Sequence, residues 1–339
     1  MTVRPGMIDA HTHYVPQTFP DLNKAVCEQP DWPWMKPVSE REAIIMVGSQ
    51  EFRTVADDCW SPEVRRADMA ESGVTTQVVS PTPVFFEYAR SGREAAGVAK
   101  VFNDIAREMF ADAGDEFLTF CQVPLQDPDL ACEELDRCLA NGHVGVEIGN
   151  HVGDKDLDDE GILTFLQHCA EVGAPVFVHP WDMPTSPRLS RWMGRWLAGM
   201  PAETHLSLLS LVLSGAFDRL PDTLRIAFAH GGGSFAFWLG RVENAWHRSP
   251  HVHRDSDKPP SSYLGRFYVD SVVFDERALR LLVDTIGRDR VLVGSDYPYP
   301  LGEVPVGSVL ERADWLDEEG RTLIRTTNAR RFLTGSVSG

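Results

Sequence analysis

Short apolar runs and amphipathic stretches alternate along most of this chain. The runs are Met7–His11, Thr75–Pro81, Phe117–Pro124, Val144–Gly149, Pro175–Pro180, Leu224–His230, Phe267–Phe274 and Val291–Asp296. Between them lie stretches of helical period, among them Pro62–Ser72, Gly92–Ala113, Leu130–Asn141, Asp159–Val172 and Glu276–Ile286. Strands apolar on both sides, alternating with helices, predict a parallel sheet covered on both faces. Eight such units predict an α/β fold of the (β/α)8 barrel type. An open doubly wound sheet is the competing architecture, but no glycine-rich phosphate loop follows the first run. The rhythm breaks over residues 15–58, where Pro16, Pro20, Pro30, Trp32, Pro33, Trp34 and Pro37 crowd together. That stretch is too apolar for a disordered linker, so it reads as an ordered, irregular insertion after strand 1, packed near the barrel mouth. A length of 339 residues suits one such barrel, and residues 1–339 read as a single domain.

Charge narrows the partners. The formal net charge is −18, which argues against nucleic acid and against an anionic membrane, since both need clustered positive charge. A small anionic substrate would need a local island of arginine or metal charge. Six cysteines without a CxxC pair read as reduced thiols of a cytoplasmic protein. The N-terminus lacks the pattern of a signal peptide. The longest apolar stretch, Leu206–Phe217, is too short to span a bilayer.

The candidate chemistry sits at the ends of the apolar runs. On a strand, His11 and His13 share one face. The fifth, sixth and eighth runs end in His179, His230 and Asp296. A barrel gathers its catalytic residues at the C-terminal ends of its strands. His11, His13, His179 and Asp296 form a mixed imidazole and carboxylate set that suits one zinc ion per subunit, or another divalent metal. Asp296 is either a ligand or an orienter of ligands. His230 precedes three glycines and reads as a general acid/base, with a fourth nitrogen ligand as the alternative. The fourth run carries Glu147 and no lysine, which predicts a single ion and a salt bridge for Glu147 inside the barrel.

Four motifs carry a family resemblance: His11-Thr12-His13, His179-Pro180-Trp181-Asp182-Met183, His230-Gly231-Gly232-Gly233-Ser234-Phe235-Ala236-Phe237 and Gly294-Ser295-Asp296-Tyr297-Pro298. Together they resemble the amidohydrolase superfamily in its decarboxylase branch, and the likeness covers nearly the whole chain. The resemblance implies that His11, His13, His179 and Asp296 hold zinc with a water, which His230 activates. It also implies that Arg53 and Arg241 bind substrate carboxylates, with Arg241 reaching into the partner's site of a homodimer. The expected reaction is non-oxidative decarboxylation of an amino-carboxymuconate semialdehyde. The alternatives are decarboxylation of another aromatic-derived acid, such as a hydroxybenzoate, and metal-dependent hydrolysis. Phe85–Tyr88 and Ser186–Arg195 are unfamiliar in this context and are expected to line the substrate pocket.

Overall fold

The computed structural model describes residues 6–336, and all eight apolar runs become neighbouring parallel strands of one sheet. The first is β1 (Met7–Tyr14). Next in the chain come β2 (Pro33–Pro37), β3 (Glu42–Val47) and β4 (Gln50–Ala56), which form a separate three-stranded antiparallel sheet. The barrel then continues through β5 (Val74–Pro81), β6 (Phe117–Cys121), β7 (Gly145–Gly149), β8 (Val176–His179), β9 (Ile226–Phe228), β10 (Tyr268–Asp270) and β11 (Val291–Leu292). Beyond β11 the chain bonds to β1 and closes the ring. Ala10 N–H donates to Val293 O (2.8 Å), Asp296 N–H to His11 O (3.0 Å) and His13 N–H to Tyr297 O (2.7 Å).

Local chemistry sets the helix boundaries. Ser61 caps Pro62–Ser72, which carries proline in its first turn and ends on left-handed Gly73. Ser91 and Glu94 make a reciprocal capping box on Gly92–Met109. Asp127 and Asp159 cap the next two helices, Pro128–Ala140 and Glu160–Val172. Some predicted strands come out shorter. The run Phe267–Phe274 pairs only over Tyr268–Asp270, because tight turns follow and Phe274 adopts a φ of 59°.

Two apolar layers support the barrel. One lies between sheet and helices, and the other includes Ile8, Phe120, Phe177 and Ala227 together with Phe332 and Leu333 of the C-terminal helix. Residues 15–58 are more regular than the expected irregular insertion. Alternation in Glu42–Val47 and Gln50–Ala56 builds a hairpin, while prolines bound its partner β2 at both ends. Its apolar side packs on Val84, Phe85 and Tyr299 of the barrel loops and on Phe102 of the helix Gly92–Met109. Among the described residues no helix is long and apolar enough to cross a membrane.

Candidate active site

β1 is buried along its whole length; past a register irregularity between Asp9 and Thr12, alternation turns His11 and His13 to one side. The Nε2 atoms of His11 and His13 are 3.1 Å apart. Their other ring nitrogens are engaged. His11 Nδ1 lies 2.7 Å from Asp270 Oδ2, and His13 Nδ1 lies 3.4 Å from the Pro81 carbonyl. At the end of β8, His179 Nδ1 lies 3.0 Å from the Pro180 carbonyl, while its Nε2 is buried without a partner. Asp296 completes the group. Its Oδ1 is 3.2 Å from His13 Nε2 and 3.6 Å from His11 Nε2, and its Oδ2 is 3.7 Å from His230 Nε2. His11, His179, His230 and Asp296 each offer an atom within 4.8 Å of the others.

Burial and mutual charge set the protonation of this group. Burial pushes the His11 imidazole below its ordinary pKa despite Asp270, and it pushes His179 well below, with three neighbouring imidazoles adding to the effect. Burial would raise Asp296, but His13 and His230 hold its carboxyl well below the usual range. Burial would likewise lower His230, yet the nearby Asp296 carboxylate keeps it above the ordinary histidine value. Neutral imidazoles beside an ionised carboxylate are the donor set a divalent cation takes. The orphaned Nε2 of His179 fits the same conclusion, since a buried polar atom without a partner is costly. The His/Asp group can hold a metal ion.

The backbone is specialised at the same points. His230 and the three glycines after it all have φ between 55° and 71°, and Asp296 has a φ of 61°. Gly233 is obligatory for space as well, because a Cβ there would lie 2.3 Å from the Pro201 carbonyl.

A cavity of about 550 Å³ opens over the cluster, lined by His13, His179, His230 and Asp296 at its floor. Its walls come from Phe52, Arg53, Thr82, Trp181, Met193, Trp196, Phe274 and Tyr299, among others. Arg53, on β4, thus reaches the cavity from the insertion. Arg241 does not: it is exposed on the helix Phe235–Arg248, with its guanidinium 5.8 Å from the Trp238 ring. Met193 brings part of the segment 186–195 to the wall, as expected. Phe85 and Phe86 correct the other expectation, because they are buried in the apolar core and stack on Phe102 and Tyr88. Glu147 is also corrected. No lysine or arginine pairs with it among the described residues; its ion-pair contact is with His13 Nδ1, at 4.0 Å, and burial pushes its pKa up to about 7.

Sequence reasoning missed Asp270. Its carboxylate accepts from His11 Nδ1 and from the backbone N–H groups of His230 (2.9 Å), Gly231 (2.8 Å) and Val272 (3.1 Å). One acid therefore orients an imidazole of the cluster and holds the turn that presents another. The available signal was a charge inside the apolar run Tyr268-Val269-Asp270.

A family model for amidohydrolases matches residues 8–334. The chain belongs to the amidohydrolase family. Two relatives narrow the branch. The 2-amino-3-carboxymuconate-6-semialdehyde decarboxylase of Dictyostelium discoideum is 36% identical over 96% of this chain and 91% of its own. The enzyme of that name from Caenorhabditis elegans is 29% identical over 98% and 95%. Among solved structures, a 5-carboxyvanillate decarboxylase from Novosphingobium aromaticivorans, with bound manganese, is 25% identical over 80% of each chain, with a TM-score of 0.70. This amidohydrolase lies in the decarboxylase branch, and it is a decarboxylase whose His/Asp group can hold a metal ion.

Proposed function

We propose that this amidohydrolase catalyses the zinc-dependent, non-oxidative decarboxylation of 2-amino-3-carboxymuconate 6-semialdehyde or a close isomer. The observation that carries the reading is the meeting of the His/Asp cluster and Arg53 in one cavity. It agrees with the activity for which the Dictyostelium and Caenorhabditis relatives are named. In this reading His11, His13, His179 and Asp296 hold one zinc ion per subunit, and other divalent ions suit the same donors. Bound there, the ion supplies Lewis acidity at the cavity floor.

The remaining work falls to side chains. Arg53 pairs with a substrate carboxylate and aligns it. As the carbon–carboxylate bond breaks, the electron pair stays on the substrate carbon and carbon dioxide leaves. His230 supplies the proton that takes its place, a role supported by its position on the cavity floor. A dianionic substrate needs a second cation. Arg241, exposed outside its own cavity, serves that purpose in a homodimer by entering the cavity of the partner. Six unpaired cysteines suit a reducing compartment, the cytoplasm.

A second reading has its own observation. The chain's cavity presents one guanidinium, Arg53, within walls that include Trp181, Trp196 and Tyr299, an arrangement that also suits a monocarboxylate such as a hydroxybenzoate. The experiment supplies zinc-loaded protein with the 2-amino-3- and 2-amino-5-carboxymuconate semialdehydes and with 2,6-dihydroxybenzoate, and measures carbon dioxide. Fastest release from the first supports the proposal. Release from the benzoate alone supports the second reading, and release from none overturns both. Mixing inactive His230→Asn chains with inactive Arg241→Ala chains restores part of the activity if Arg241 acts across a dimer; no recovery sinks that part.

A further inference from the structure

The insertion, residues 15–58, carries four basic residues, and three of them are paired with acids in an ordinary way. Lys24 lies 3.6 Å from Asp21, Lys36 lies 2.9 Å from Glu51, and Arg41 lies 2.6 Å from Asp57. Arg53 is the exception. Among the described residues it makes no salt bridge, although the chain carries a net charge of −18 and acids are plentiful. Its guanidinium carbon instead lies 4.3 Å from the centroid of the Tyr299 ring and 5.6 Å from that of Phe52.

Tyr299 is itself firmly placed. It is buried, its hydroxyl is hydrogen-bonded to the Thr82 hydroxyl, and its ring centroid is 5.6 Å from that of His13. His13, Arg53, Thr82 and Tyr299 all line the one cavity. An aromatic face and a carboxylate hold an arginine in different ways. The carboxylate occupies the N–H edge of the guanidinium, whereas the ring attracts the cation through its π face and leaves that edge available. A salt bridge would compete with an anionic substrate. An aromatic platform does not.

We propose that Tyr299 is a positioning residue: its ring, fixed through Thr82, holds the Arg53 guanidinium beside the His/Asp cluster with its donors open to the carboxylate of an unsaturated or aromatic acid. This inference rests on Arg53 being the carboxylate-binding residue of the proposed function, and it goes beyond that reading by naming what aims the arginine.

The test uses binding, so it does not depend on which substrate turns over. Isothermal titration measures isophthalate, a planar dicarboxylate, and resorcinol, its neutral ring counterpart, against metal-loaded wild type, Arg53→Ala, Tyr299→Leu, Tyr299→Phe and the double variant Arg53→Ala/Tyr299→Leu. Tyr299→Leu should weaken isophthalate about threefold to thirtyfold, the range of a partly desolvated cation–π contact, and leave resorcinol unchanged. Tyr299→Phe, which keeps the ring, should restore most of that loss. The double variant should bind isophthalate no more weakly than Arg53→Ala alone. In turnover, Tyr299→Leu should raise KM more than it lowers kcat. Wild-type affinity in Tyr299→Leu, equal losses for isophthalate and resorcinol, or multiplying effects in the double variant would overturn the proposal. So would a wild type that binds no isophthalate. Absence of carbon dioxide release from the semialdehydes alongside these binding shifts would sink the proposed substrate and leave the platform standing.

Discussion

The floor and the wall of the cavity are built in different ways. On the floor, His11, His13, His179, His230 and Asp296 stand on or just beyond barrel strands, and most of their polar atoms are tied to carbonyls, carboxylates or one another. On the wall, Arg53 stands on β4, an outer strand of a three-stranded sheet, and among the described residues its guanidinium is held by aromatic faces. Bond-breaking chemistry tolerates little misplacement of its donors, and parallel strands with polar anchors supply that rigidity. Recognition of a carboxylate needs open, permanently charged donors, which Arg53 supplies from outside the His/Asp cluster.

Four experiments probe that contrast, from the largest expected effect to the smallest. Chelating the metal, or changing His179 to Ala, should lower turnover at least about a thousandfold, as loss of several kcal/mol of charge stabilisation implies. Metal analysis and add-back of zinc check it; full activity in metal-free protein would break the assignment of the floor. His230→Asn should keep the metal while kcat falls about 10²- to 10⁴-fold. Loss of the metal would instead move His230 into the ligand set. Arg53→Ala should retain metal and lower kcat/KM by about 10- to 150-fold, the loss of a charge-assisted hydrogen bond, and unchanged kinetics would remove the wall from recognition. Asp270→Asn should weaken metal affinity about 10- to 100-fold in a chelator competition. Wild-type affinity there would show that the floor does not depend on its anchors.

The same contrast governs what could be read from the sequence. His11, His13, His179, His230 and Asp296 each close an apolar run, so alternation and the barrel rule located them together. Asp270 escaped because it lies within a strand run, where its partners come from β1 and from the turn after β9. The insertion hid its regularity behind Pro33 and Pro37, which read as breakers although they bound an outer strand. The place of Arg53 in the cavity followed from family resemblance and not from any periodicity. Trp181, Met193 and Trp196 lie at different points of the long connection after β8, and Phe274 follows β10; no local pattern states that such segments share a wall.

The left-handed backbone at His230 and Asp296 changes how these two positions should be probed. A non-glycine residue held at such φ values carries about 1–3 kcal/mol of strain, and the surrounding hydrogen bonds offset it. Asparagine visits this region far more readily than alanine does. An alanine variant would therefore combine a missing functional group with a turn that has reason to relax, and its kinetics would report both losses as one. Asparagine at His230 or Asp296 separates the two, so the choice of replacement decides whether the measurement concerns chemistry or shape.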